Sequence, residues 1–193
     1  MVYYALTSLK VKNASCIVPT GNMGNVVACF WAKQLGFPIN KVNIATNSNH
    51  SIHDYFNDGE MHGNKTIKTI ANAMDVGNPS NIERLNYLFP DITVLRSLTS
   101  VKVVSDSDIE KTIIDTKNKF GYTLCPHTAT GINFYNDIGG EWIVVATAHP
   151  AKFETIIKPI INENIIIPKD LEVLLSKEST FKIVDQLTAS DLL

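Results

Sequence analysis

The stretch PTGNMGN, residues 19–25, has the composition of an anion-binding bend. It follows the apolar run 15–18 and precedes a long apolar segment. A strand, a glycine-rich bend and a helix start leave the N–H groups of the first helical turn free to bind an anion, which the helix dipole also favours. Thr20 and the asparagines can add side-chain hydrogen bonds. The alternative is an ordinary strand-to-helix turn, in which Asn and Gly tolerate positive φ.

Three better-known glycine motifs do not fit this bend. The spacing of Gly21 and Gly24 differs from the G-x-G-x-x-G of dinucleotide sites. No Gly-Lys-Ser/Thr follows, which excludes the P-loop of nucleotide triphosphatases. The letters GNMG match the GXXG loop of KH domains, but that loop joins two helices in a basic domain. This bend follows a predicted strand in a chain whose net charge is −2.

Two asparagines at the end of the next predicted strand are candidates for substrate binding. Asn47 and Asn49 follow the apolar run 42–46, and open α/β sheets place their ligands at the carboxyl ends of strands. The alternative is an Asx turn that precedes a helix.

A group of histidines after these asparagines raises the question of a metal. His50 and His53 are three residues apart, Asp54 is adjacent, and His62 lies further on. The spacing does not complete a recognisable ligand set, so we expect no metal site.

The elements that must position these residues alternate between strands and helices, which predicts an α/β fold with a mostly parallel sheet and helices on both faces. S-x-x-E capping boxes predict helix starts at Ser80 and at Ser107. The polar segment 58–79 is a long loop, and such loops are often functional. Strands are predicted at 15–18, 42–46, 101–104 and 142–146, and helices at 23–35, 51–56, 129–135 and from Pro150 onward.

Composition and charge exclude several classes of protein. The chain has 193 residues, of which 45% are hydrophobic, so it can bury a substantial core. Its slightly negative charge argues against nucleic-acid binding, and its longest apolar runs are too short to span a membrane. The N-terminal MVYYALTSLK is unlike a signal peptide. The three cysteines form no C-x-x-C pair, so we expect a cytoplasmic protein.

Five blocks in the range 18–153 resemble, in order, the threonine synthases, which depend on pyridoxal 5′-phosphate (PLP) and belong to the tryptophan-synthase-β structural group, fold type II. The blocks are VPTGNMGN, AKQLGFPINKVNIATNSN, ANAMDVGNPSNIERL, GYTLCPHTATG and TAHPAKF. Five ordered blocks are far more specific than any single motif. Two positions depart from the family: Met23 stands where an aromatic residue is common, and His50 stands where an acidic residue is usual, which weakens a substrate role there.

The resemblance implies a PLP site. In the family this bend cradles the PLP phosphate, mainly through backbone N–H groups, and the threonine of TAHPAKF, here Thr147, meets the pyridine nitrogen. Without the family, Thr147 would be read as a capping hydroxyl before the helix at Pro150. His149 and Lys152 of the same block are expected to be structural or exposed. The residues that inherit the phosphate role are Gly21, Asn22, Met23, Gly24 and Asn25.

The lysine that such an enzyme needs for its Schiff base is not recognisable in this chain. In the family it lies well upstream of the bend in a serine-flanked motif, whereas only eighteen residues precede Pro19 here, and none of the fifteen lysines has that context. The resemblance therefore covers only the C-terminal half of a threonine synthase, and we expect no catalytic residue in this chain and no activity from it alone. Residues 1–160 would be part of the PLP-binding domain, and 161–193 a C-terminal region packed on it.

Two functions remain open. The chain could be part of an enzyme that converts O-phosphohomoserine and water to threonine and phosphate, with the N-terminal half supplied by a separate chain. It could instead be a non-catalytic remnant that binds phosphate, PLP or a partner. A third and more distant possibility is another fold type II lyase, such as threonine dehydratase or cysteine synthase. Because the family's sheet draws strands from both halves, we expect an exposed apolar face and an unpaired edge, and hence oligomers or poor solubility.

Overall fold

The computed structural model describes residues 1–181, and residues 182–193 of the predicted C-terminal region lie outside the described part. Within it, helices and strands alternate along the chain. The strands are β1 (Ala14–Pro19), β2 (Ile39–Thr46), β3 (Val101–Val103) and β4 (Trp142–Val144). The helices are α1 (Val2–Lys10), α2 (Gly24–Gln34), α3 (Ser51–Asp58), α4 (Ile82–Leu88), α5 (Ile92–Leu98), α6 (Asp106–Phe120), α7 (Pro126–Ile138), α8 (Glu154–Ile161) and α9 (Lys169–Leu175), with 3-10 turns at Asn72–Met74 and Pro150–Phe153.

The four strands form one parallel sheet in the order β3-β2-β1-β4. In the register, Ile17 of β1 lies between Asn43 of β2 and Val144 of β4. β1 is therefore interior, and all six of its residues are buried. The predicted α/β class with a parallel sheet is confirmed.

Helices cover both faces of this sheet because alternate β1 side chains point to opposite sides. Cys16 and Val18 pack with the buried face of α2, whereas Ile17 packs with Phe134 of α7. Helix α7 lies very close to the sheet at Gly131, where an added Cβ would come within 2.8 Å of Val144 Cγ1. α6 packs against α7, α8 packs against α6, and α1 packs against α2.

Both predicted capping boxes are wrong in detail. The Ser80 hydroxyl caps no helix, since it donates to Asn22 Oδ1, and α4 begins two residues later at Ile82. The second box is displaced by two residues, because Ser105, not Ser107, accepts the N–H of Asp108 at the start of α6. In the first case the Asn22 side chain competes for the Ser80 hydroxyl, and in the second the Ser105 hydroxyl replaces that of Ser107. The S-x-x-E pattern contains no information about either competitor.

Two helices were not predicted from the sequence: α1 and α5. In α1 the buried residues are Tyr4, Ala5 and Ser8, and its outer side is also apolar, so the helical period is obscured. Helix α5 begins at the N-cap Asp91, whose carboxylate accepts the N–H of Thr93. No helix among residues 1–181 is long and apolar enough to cross a bilayer.

Candidate functional site

The glycine-rich bend joins the end of β1 at Pro19 to the start of α2 at Gly24. Met23 is the N-cap of α2, and its backbone has φ 64°, in the left-handed region. Its thioether is fully buried in the core beside Val26 and Phe30. This packing offsets the cost of a left-handed conformation in a residue other than glycine, and it leaves only the Met23 backbone for a ligand.

The backbone N–H groups of this bend have no hydrogen-bond acceptor in the described part of the chain. The first bond of α2 runs from the Val27 N–H to the Met23 carbonyl. Within the described part of the chain, none of the N–H groups of Gly21, Asn22, Met23, Gly24 or Asn25 donates a hydrogen bond. Several unpaired donors at a helix N-terminus form an anion site, which the helix dipole strengthens.

Glycine is required at position 21 by a neighbouring backbone. A Cβ on Gly21 would lie 2.5 Å from the Met74 carbonyl oxygen and 2.6 Å from Met74 Cα. At Gly24 the nearest atom to an added Cβ is Asn81 Nδ2, at 3.5 Å, which is ordinary van der Waals contact. The first glycine therefore lets the Asn72–Met74 turn approach the bend.

The asparagine side chains of the bend bind other parts of the protein. Asn22 Oδ1 accepts from the Ser80 N–H at 2.7 Å, and the Asn22 carbonyl accepts from Asn81 Nδ2 at 2.8 Å. Asn25 Oδ1 accepts from the Tyr4 hydroxyl at 2.7 Å. These contacts fix the bend to α1 and to the start of α4.

A cavity of about 350 Å³ opens at this bend, within the range of roughly 300–1,000 Å³ that is usual for small-molecule sites. Thr147, which is more than 120 residues further along the chain, lines the same cavity as the bend. Four of the five bend residues named from the sequence line it as well, namely Gly21, Asn22, Gly24 and Asn25. The wall also contains four residues that were not candidate site residues, namely Met74, Asn81, His127 and Phe153.

Thr147 is held beside the N-terminus of α7. Its N–H donates to Thr128 Oγ1 at 3.2 Å, and its hydroxyl lies 3.5 Å from Thr128 Oγ1 and 3.8 Å from Cys125 Sγ. Thr147 follows the end of β4 and is exposed to solvent. Its hydroxyl is thus both accessible and oriented by a second hydroxyl.

Cys125, the N-cap of α7, has an unusual environment for a buried thiol. Burial by itself raises the pKa of the thiol, but the nearby polar groups of His127, Thr128 and Thr147 outweigh it and lower the pKa to about 7. The Thr128 N–H donates to Cys125 Sγ at 3.4 Å. Negative charge on this sulfur is therefore stabilised next to the Thr147 hydroxyl.

His127 is a wall residue that sequence reasoning missed. Its Nε2 accepts the Ala73 N–H at 3.0 Å, which places the proton of the neutral ring on Nδ1. Nδ1 is buried and has no hydrogen-bond partner in the described part of the chain. The ring packs against Phe153 with centroids 4.4 Å apart. The block GYTLCPHTATG was the only signal that could have drawn attention to it.

Asn47 and Asn49 do not line the cavity, and both are buried. Asn47 Nδ2 donates to Thr69 Oγ1 and to Asp75 Oδ1, each at 2.8 Å. Asn49 Oδ1 accepts the Ile67 N–H at 2.8 Å. These side chains hold the segment 58–79, which turns back so that Met74 meets the bend. Their proposed contact with substrate stays a prediction.

The histidines and lysines singled out from the sequence lie elsewhere. His50 Nδ1 is 2.5 Å from Asp54 Oδ2 on the exposed side of α3, and His62 is exposed in the following segment. Lys33 Nζ donates to the carbonyls of Ile39 and Asn40. Within residues 1–181, the residues that line the cavity include no lysine.

Comparisons with known proteins show that this chain is similar to part of the threonine synthases. The family model described as threonine synthase, C-terminal, matches residues 128–191. The threonine synthase of Escherichia coli is 36% identical over 158 residues, which are 80% of this chain and 36% of that protein. A crystal structure of PLP-bound threonine synthase from Brucella melitensis superposes with a TM-score of 0.84 at 27% identity, over 95% of this chain and 46% of that one.

A more distant structure supports the fold alone. The processed form of threonine deaminase isoform 2 from Solanum lycopersicum matches 82% of this chain with a TM-score of 0.58 at 14% identity. The chain spans less than half the length of each of these three proteins.

Proposed function

Because this chain corresponds in sequence and fold to the C-terminal part of threonine synthases, we propose that it forms the phosphate-binding side of a PLP site. The reaction of the complete site would convert O-phosphohomoserine and water to threonine and phosphate. The observation that supports the proposal is one cavity that is lined by Thr147 and by four bend residues whose N–H groups donate no hydrogen bond, namely Gly21, Asn22, Gly24 and Asn25.

The residues of this cavity fit the two ends of PLP. The free N–H groups at the start of α2 would hold the phosphate dianion by hydrogen bonds and by the helix dipole. The Thr147 hydroxyl would meet the ring nitrogen, where it cannot hold a proton as a carboxylate would. When bound, PLP supplies an electron sink for the carbanions that form at the α and β carbons of the substrate.

The cavity lacks the amine that the reaction needs. A nucleophilic lysine must bond to the cofactor aldehyde and later move protons, and the described wall contains none. Since the chain spans only 36% of the Escherichia coli protein, we infer that a further polypeptide segment supplies this lysine. Alone, the chain would bind the phosphate without catalysing the reaction.

The alternative is a non-catalytic module that binds phosphate or PLP. The same unpaired N–H groups support it. The fusion experiment below distinguishes this function from a part in the enzyme. A different fold type II lyase is less well supported, because the deaminase match is at 14% identity and carries the fold alone.

Binding of the phosphate is tested with ligands that cannot react with surface lysines. Pyridoxine 5′-phosphate and pyridoxine differ only in the phosphate, and neither carries an aldehyde. By calorimetry on the 193-residue chain, we expect the phosphate ester to bind at least 10-fold more tightly, since the bend would contribute several charge-assisted hydrogen bonds. Equal affinities would contradict a phosphate role for the bend.

The reaction is tested by restoring the missing length. The part of the Escherichia coli threonine synthase that precedes its matched region is fused ahead of this chain, and PLP and O-phosphohomoserine are added. We expect equimolar threonine and phosphate from the fusion and none from the chain alone. Phosphate-ester binding without turnover in a folded fusion would favour the non-catalytic module.

A further inference from the structure

Three side chains form a continuous row of polar contacts that ends at the cavity of the bend. Cys125 Sγ lies 3.1 Å from Thr128 Oγ1, and Thr128 Oγ1 lies 3.5 Å from Thr147 Oγ1. The Thr147 N–H also donates to Thr128 Oγ1, at 3.2 Å, which holds the two segments together. Thr147 lines the cavity, whereas Cys125 is buried and does not. The thiol therefore reaches a ligand in the cavity through two hydroxyls, without touching it.

The hydrogen bonds along this row can run in either direction, because a hydroxyl both donates and accepts. An ionised sulfur can only accept, so the Thr128 hydroxyl then donates to it. Thr128 Oγ1 in turn accepts from the Thr147 hydroxyl, and a lone pair of Thr147 Oγ1 is left for the cavity. A neutral thiol can donate to Thr128 Oγ1 instead, and both hydroxyls then turn so that Thr147 donates into the cavity. Such rows of hydrogen bonds reverse together because each bond polarises the next.

The surroundings of Cys125 favour the ionised sulfur near neutral pH. The Thr128 N–H donates to Sγ at 3.4 Å, and Sγ caps the N-terminus of α7, where the helix dipole stabilises negative charge. The buried ring of His127 also lowers the pKa of the thiol, and its Nδ1 has no hydrogen-bond partner in the described part of the chain. The charge on the sulfur therefore changes within the physiological pH range.

The neighbouring elements bring apolar groups to this end of α7. Leu124, which precedes the thiol, lies in one cluster with Ile113 of α6 and Ile160 of α8. The turn Asn72–Met74, which contacts the His127 ring, carries no charged side chain. The titratable side chains on the segment after β4 are exposed to solvent, namely His149 and Lys152. Among these groups, the thiol and His127 are the buried ones that can titrate.

We propose that Cys125 is a positioning residue that acts through Thr128 and Thr147 and sets the protonation of a pyridine nitrogen bound at Thr147. The ionised sulfur favours the protonated nitrogen, because the Thr147 lone pair accepts its N–H. The neutral thiol favours the unprotonated nitrogen, because the Thr147 hydroxyl donates to it. A hydroxyl alone does not hold a proton on the ring, but a hydroxyl backed by a thiolate has the negative charge that a carboxylate would supply. The inference rests on the proposed function for the identity of the ligand.

The test follows the ring nitrogen of pyridoxine 5′-phosphate, labelled with a nitrogen isotope and bound to the 193-residue chain. Its NMR shift is measured against pH and reports protonation of the ring. Cys125→Ser keeps the contacts but does not ionise near neutral pH. We therefore expect the pKa of the ring nitrogen to fall by about 1, an approximately 10-fold loss of proton affinity, as on removal of a nearby opposite charge.

Cys125→Asp is the rescuing variant, because its carboxylate stays ionised throughout the titration. It should return the pKa of the ring nitrogen to the wild-type value or above, which a merely structural role of the thiol would not do. Ser and Asp are both favourable N-cap residues, so we expect both variants to fold, as checked by circular dichroism.

Two further variants keep the test decisive. Thr128→Val removes the middle hydroxyl and retains the thiol, so it should lower the pKa of the ring nitrogen as Cys125→Ser does. Cys29→Ala is the control, since Cys29 is a buried thiol that packs in the core between α2 and the sheet. It should leave the ring nitrogen unchanged.

Several results would overturn the proposal. One is a ring-nitrogen pKa that is the same in the wild-type chain, in Cys125→Ser and in Thr128→Val. Another is a fall in Cys125→Asp as large as that in Cys125→Ser. A third is an equal fall in Cys29→Ala.

The outcomes also separate this inference from the proposed function, because pyridoxine carries the same ring nitrogen without the phosphate. Equal affinities for the two ligands, with a ring nitrogen that depends on Cys125 in both, would remove the phosphate role of the bend and leave this inference standing. Tighter binding of the phosphate ester, with a ring nitrogen indifferent to Cys125, would do the reverse. Failure of both ligands to bind would overturn both.

Discussion

Gly21 illustrates how one residue couples the anion-binding bend to a distant segment. Its missing side chain lets the Met74 carbonyl approach to a distance that no Cβ tolerates. A Cβ added at Gly24, three residues later, would make only an ordinary van der Waals contact with the Asn81 side chain. The sequence does not distinguish the two glycines. In the structure, Gly21 permits the close approach of the Met74 backbone, whereas Gly24 is the first residue of α2.

The substitutions Gly21→Ala and Gly24→Ala form a matched pair that tests this difference. Gly21→Ala should lower the free energy of unfolding by about 1–3 kcal/mol, as overpacking against backbone does. Gly24→Ala should leave it unchanged or raise it by roughly 0.5–1 kcal/mol, because alanine is the better helix former. Urea denaturation measures both. Equal effects would show that the Met74 approach is not tight.

The segment 58–79 shows how a polar loop acquires a fixed path. Asp75 accepts hydrogen bonds from the Asn47 side chain and from both the N–H and the hydroxyl of Thr69. The buried N–H and C=O groups of the segment find further partners, since the Asn64 N–H donates to the Gly77 carbonyl, which also accepts from Ser51. This network carries Met74 and Ala73 to the wall of the cavity.

Removing the charge of Asp75 should release the segment. Asp75→Asn replaces an acceptor-only group by an amide that presents N–H groups to existing donors. We expect a loss of about 1.5–3 kcal/mol in the free energy of unfolding, the usual range for hydrogen bonds to a charged group. Amide exchange in residues 60–79 should accelerate before that of β1.

Asp115→Asn is the control for this substitution. Asp115 pairs with Lys111 on the exposed side of α6, and such pairs contribute only about 0.2–1 kcal/mol. If Asp75→Asn changed stability no more than Asp115→Asn does, the network would not be holding the segment.

The sheet has a buried interior strand, β1, and an edge strand, β4, that pairs with no further strand in the described part of the chain. β1 is fully buried, whereas β4 is half-buried and the outer side of α1 exposes apolar side chains. The expected apolar surface and unpaired edge are therefore present in the described part of the chain. Exposed apolar side chains and an unpaired strand edge both favour association between molecules in solution.

We predict that the 193-residue chain associates in a concentration-dependent way without forming one discrete oligomer. The double substitution Leu6→Lys and Leu9→Lys on the outer side of α1 should shift light scattering towards the monomer mass. Ile166→Lys serves as the control, since Ile166 is also exposed but lies between α8 and α9. A monomeric wild-type chain with cooperative unfolding would contradict the prediction.

The sequence by itself determined the alternation of strands and helices, the parallel sheet and the bend at residues 19–25. These follow from local patterns: continuous apolar runs, glycines at a strand end and the long apolar segment that forms α2. The resemblance of five ordered blocks added Thr147 as a candidate partner of the bend, which spacing along the chain does not indicate. Capping at Ser80 and Ser107 was predicted wrongly, because neighbouring acceptors compete for the same groups.

Only the tertiary structure decided which residues share the cavity and which edge of the sheet is open. His127 and Phe153 enter the wall because α7 and the Pro150–Phe153 turn pack beside the bend, a contact between residues far apart in the chain. Asn47 and Asn49 are drawn away from it by Asp75 and its loop. Strand order is likewise a long-range property, since pairing depends on which apolar faces meet rather than on the pattern within one strand.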